Sequence, residues 1–71
     1  MVSKENLFYR AAVHHFVAKK EEAIAVLDMY FNNNTAIGDH PNILKEIVHH
    51  TKQLAEAEEC LVTLEEYAND A

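Results

Sequence analysis

The chain has 71 residues, 49% of them hydrophobic and 25% charged, with a formal net charge of −6, a profile that describes one small helical domain and leaves no room for a second. Its longest uninterrupted apolar run, Ala23 to Leu27, falls far short of the ~20 residues of a membrane span. The basic residues Lys4, Arg10, Lys19, Lys20, Lys45 and Lys52 are scattered and form no stripe for a nucleic-acid backbone, so partners are expected to be proteins, with no nucleic acid and no membrane.

A single Gly, a single Pro and no Trp, with Ala, Leu, Glu and Lys common, favour helix almost throughout. The domain is expected to span 1–71, with a helix at 4–33, a loop at 34–40 and a second helix at 41–69. The first helix is expected to start after Ser3, whose hydroxyl can accept a hydrogen bond from a first-turn amide. Tyr9, Val13, Phe16, Ala23, Leu27 and Tyr30 then recur at steps of three and four, with Val17, Ile24 and Phe31 widening that stripe on one flank and Lys20 falling inside it. A second, shallower apolar line runs through Leu7, Ala11, Ala18, Ala25 and Met29 on roughly the opposite side.

The break comes at Asn32-Asn33-Asn34 and Thr35 to Asp39, where Asn and the only glycine, Gly38, tolerate the conformations that end a helix. Pro41 suits the first turn of the next helix, with either Asp39 or His40 as its cap. From there Ile43, Ile47, His50, Leu54, Ala57, Leu61, Leu64 and Ala68 alternate four and three steps, a heptad seam whose only polar member is His50.

A seam needs a partner, and the first helix is the only one in the chain. The two helices are expected to form an antiparallel hairpin in which facing position numbers add to about 73. That register matches Tyr30 with Ile43, Ala23 with His50, Phe16 with Ala57 and Tyr9 with Leu64, so large residues meet small ones. It also brings Glu56, Glu58, Glu59, Glu65, Glu66 and Asp70 of the second helix towards the half of the first that carries Lys4, Arg10, Lys19 and Lys20. Each helix hides only one stripe in such a hairpin. The leftover lines call for a second copy, so the fold class is all-α, a two-helix hairpin expected to dimerise into a four-helix bundle, with a tetramer as the second choice. The interface is expected to draw on Ala11, Ala18, Ala25, Met29, His50, Leu54 and Leu61.

Several stretches, Asn6-Leu7-Phe8-Tyr9-Arg10-Ala11-Ala12, His14-His15-Phe16 and Ile37-Gly38-Asp39-His40-Pro41, resemble small proteins of marine tailed phages of the cyanophage type. The resemblance implies a phage-encoded helical protein acting in the host cytoplasm, and it carries no activity with it. A cytoplasmic setting is also expected from the lone Cys60, which has no partner in the chain, and from the absence of an apolar leader in Met1 to Asn6.

The histidines invite a metal reading, but the doublets His14-His15 and His49-His50 point their members about 100° apart on a helix and cannot each clasp one ion. The sharper candidate is Glu46-Ile47-Val48-His49, the Glu-x-x-His spacing of carboxylate-bridged bundle proteins, which makes Glu46 and His49 the candidate ligands of an alternative, metal-binding function. The acidic pairs Glu58-Glu59 and Glu65-Glu66 lack nearby cations to handle phosphate. His50 is expected to lie in a helix interface and to set register, with acidification weakening the fold. No catalytic, metal or cofactor site is expected. The expected function is that of a small homo-oligomeric protein-interaction or assembly factor without enzymatic activity.

Overall fold

In a computed structural model of the chain, which describes residues 1–32 and 42–68, two helices pack along each other as a hairpin: α1, Leu7–Asn32, and α2, Ile43–Tyr67. The molecule is a rod of 50 × 15 × 15 Å.

The cap of α1 is Asn6, not Ser3. The Asn6 carboxamide oxygen accepts from the amides of Phe8 at 2.9 Å and Tyr9 at 3.1 Å, so two of the donors that a helix start leaves unpaired are satisfied. Ser3 instead builds a turn ahead of the helix, its hydroxyl oxygen accepting from Glu5 N and its carbonyl from Asn6 N. Starting the helix later frees the first residues to cross to the far end of α2. Asn6→Ala should therefore cost about 1 kcal/mol in a urea-unfolding experiment, and Ser3→Ala a few tenths at most.

The cap of α2 is Asn42, although its side chain makes no capping bond. Asp39, His40 and Pro41, on which the sequence reading placed this start, lie outside the described residues. At its other end, α2 leaves carbonyls without intrahelical partners, and the N-terminal residues supply them. Val2 N donates to Tyr67 O at 3.3 Å within an isolated bridge between Val2 and Ala68, and the Tyr9 hydroxyl donates to Leu64 O at 2.9 Å. The Leu64 carbonyl is open to that bond because Ala68 N turns to Glu65 O. Lys4 Nζ, 2.8 Å from Glu65 Oε1, places a cation beside the acidic last turn of α2, where the helix dipole favours positive charge.

The pairing follows the anticipated antiparallel register. Tyr9 bonds to Leu64, while Phe16 and Ala57 line one cleft. Burial is concentrated in few side chains, chiefly Tyr9, Ala23 and Tyr30 of α1, Ala57 of α2, and Ala68 just beyond it. Ala23 is 0% exposed and Ala57 2%. The helices approach over these alanines and the tyrosines close the ends, so the shared core is narrow and much of the apolar surface of both helices remains outside it.

Candidate functional site

Two interhelical pairs define the two sides of the hairpin. On one side Lys20 Nζ lies 4.0 Å from Glu58 Oε2, and on the other Gln53 Nε2 donates to Glu22 Oε1 at 3.3 Å. Helix residues three, four and seven apart share a face. Val13, Val17, Ile24 and Phe31 therefore lie on the Lys20 side of α1, and Leu44, Ile47, Thr51, Leu54, Ala55, Leu61 and Val62 on the Glu58 side of α2. These two rows flank the same edge of the hairpin and make one apolar face. Leu44 is 74% exposed, Phe31 62% and Val62 59%, while Val17, Ile24 and Val48 are exposed to lesser degrees.

The opposite side is built differently. The Glu22 row of α1 carries His15, Ala18 and Met29, and the Gln53 row of α2 carries His49, Glu56 and Cys60. A shallow cleft of about 260 Å³ opens there between His15, Phe16, Lys19, Gln53, Glu56 and Ala57, smaller than the ~300–1,000 Å³ of ordinary ligand pockets. The anticipated interface residues thus divide. Leu54 and Leu61 are half-buried on the apolar face, while Ala11, Ala18, Ala25 and Met29 are exposed at the back and far side of α1. Val17, Ile24 and Phe31, which in the sequence flank the main stripe of α1, carry in their seven-residue spacing the signal of a second seam.

His50 sits in the seam with its side chain 17% exposed. Its Nδ1 lies 2.8 Å from Glu46 O, so the imidazole carries its proton there and donates to a carbonyl of its own helix. The Glu46 carboxylate stands 3.7 Å from the same nitrogen. His50→Leu removes a bond to a carbonyl of its own helix and adds apolar volume to the seam. It should raise stability by about 0.5–1 kcal/mol, read as a higher melting temperature with the assembly unchanged.

No family model, curated protein or solved structure matches this chain.

Among the described residues no three His, Cys, Asp or Glu side chains converge to hold a metal ion. The candidate ligands Glu46 and His49 follow different paths: Glu46 engages His50, while His49 is exposed with its ring edge-on to that of His50 at 4.9 Å. Of the acidic pairs, Glu58 meets Lys20 and Glu65 meets Lys4. Cys60 is a half-buried free thiol. No helix among the described residues is long and apolar enough to cross a membrane. The largest chemical feature left is the apolar face.

Proposed function

We propose that the protein is a small self-associating helical module, a homodimer whose four helices form one bundle and which acts as a protein-interaction or assembly factor without chemistry of its own. The observation that carries this reading is the accessible surface of 5438 Å² on a chain of 8.1 kDa. A compact monomer of that mass exposes ~4,500 Å². The excess is close to the ~800 Å² that each partner buries in an interface of standard size. Val17, Ile24, Phe31, Leu44 and Val62 gather on one side of the hairpin, while Leu7, Phe8, Met29 and Tyr67 lie off it, so one partner covers the largest continuous block of exposed apolar surface. A second copy is the occupant favoured here, because its identical apolar face has the same length and the same leftover residues.

Sedimentation equilibrium at micromolar concentration should give a particle of about twice the chain mass of 8.1 kDa. A helical, cooperatively folded monomer would reject the reading. A particle of four chains would bring the alanine line Ala11, Ala18 and Ala25 into a second interface. A phage-encoded protein working in the host cytoplasm accords with the resemblance of its helical and loop stretches to small marine phage proteins. The alternative, a metal-binding bundle using Glu46 and His49, predicts stoichiometric iron, manganese or zinc in protein purified without a histidine tag, which elemental analysis reads directly.

A further inference from the structure

Resting on the homodimer reading, we infer that the two copies pack with their two-fold axis along the hairpin, so that α1 of each lies on α2 of the other and Arg10 meets Glu59 and Glu66 of the partner subunit. A two-fold contact between identical apolar faces has two forms. With the axis along the hairpin, heights are preserved and unlike helices stack. With the axis across it, heights invert and each helix stacks on its own copy. The unpaired charges beside the apolar face discriminate between them.

The Tyr9 to Leu64 bond fixes residues whose numbers add to about 73 at one height. Glu21 therefore stands near mid-height of the apolar face, which runs from Val13 and Leu61 to Phe31 and Leu44, and sits on its α1 edge beside Val17 and Ile24. An axis across the hairpin would set Glu21 against Glu21 of the partner subunit, close to the axis. Like charges held together oppose association. An axis along the hairpin places the two α1 helices diagonally and keeps the two Glu21 side chains apart. Arg10, level with residue 63, then falls between Glu59 and Glu66 of the partner subunit, one within about a turn on either side. All four of these side chains are exposed, and among the described residues Arg10, Glu21, Glu59 and Glu66 make no ion pair within their own chain. Across the apolar face, Ile24 meets Thr51 of the partner subunit.

The test uses the full chain with Cys60→Ser. Chains carrying Ile24→Cys are mixed with chains carrying Thr51→Cys, and the disulfide-linked product is read on a non-reducing gel. The inference expects a linked dimer of unlike chains. The two positions within one chain are separated by the width of the hairpin, beyond the ~7 Å limit on Cα separation for a disulfide. As a second reading, Arg10→Glu should weaken dimerisation roughly ten-fold, since a two-fold repeats the change, and adding Glu66→Arg should restore it. A dimer that yields no mixed cross-link, or an Arg10→Glu loss that the swap does not rescue, overturns this arrangement while leaving the homodimer standing. A wild-type monomer by sedimentation overturns both.

Discussion

Ile24→Glu and Val62→Glu are each expected to convert the protein from dimer to monomer at micromolar concentration, whereas Ala18→Glu leaves the dimer intact. Ile24 and Val62 belong to opposite helices but to the same side of the hairpin as the Lys20–Glu58 pair, and both are exposed in the isolated chain. In the dimer each would place a carboxylate in an apolar interface with no cation to meet it, at roughly 3 kcal/mol or more. The two-fold repeats that penalty, so the dissociation constant should rise by about four orders of magnitude. Because the lone hairpin has so narrow a core, loss of the partner should also lower helicity by circular dichroism. Ala18 lies on the Glu22 side, away from the apolar face, and an exposed substitution there should change stability by no more than about 0.5 kcal/mol. Equal sedimentation of the Ile24→Glu and Ala18→Glu proteins would show that the face has been placed on the wrong side.

The second large effect is expected inside the hairpin. Ala23 is fully buried where α1 and α2 come together, and Ala57 is nearly so. A leucine at position 23 needs volume that the neighbouring helix already fills, and relief requires the axes to separate along much of their length. Ala23→Leu should cost about 2–3 kcal/mol, which for a domain of this size lowers the melting temperature by 10 °C or more. Ala25→Leu makes the same chemical change two residues on, at an exposed position, and should leave the melting temperature within a few degrees of wild type. Similar melting temperatures for the two variants would mean that the helices do not approach over Ala23.

The hairpin itself was legible because its evidence is local and periodic. A heptad seam from Ile43 to Ala68 and a matching stripe from Tyr9 to Tyr30 dictate two long helices that hide one stripe each. Their mutual register follows from matching large residues to small ones. The ion partners of Glu58 and Glu65 were legible for the same reason, since an antiparallel register brings acidic and basic halves together before any coordinates exist. The start of α1 was not legible. Ser3 and Asn6 are both competent caps, and the choice between them depends on residues 2–5 crossing to Tyr67 and Glu65, a contact between the two ends of the chain that no local pattern announces.

Periodicity fixed which residues of each helix share a face, so the sequence by itself determined the helices, their antiparallel pairing and the existence of leftover apolar lines. It could not rank those lines, because a helical wheel has no external direction until a neighbour is placed beside it. The tertiary structure decided which of them lie side by side. Once Lys20 meets Glu58 on one side and Gln53 meets Glu22 on the other, Val17, Ile24 and Phe31 fall beside Leu44, Leu54 and Val62 on a single face, while Ala11, Ala18 and Ala25 turn away. The physical reason is handedness: two right-handed helices running in opposite directions carry like-signed flanks to the same side of their common plane, which spacing alone cannot reveal.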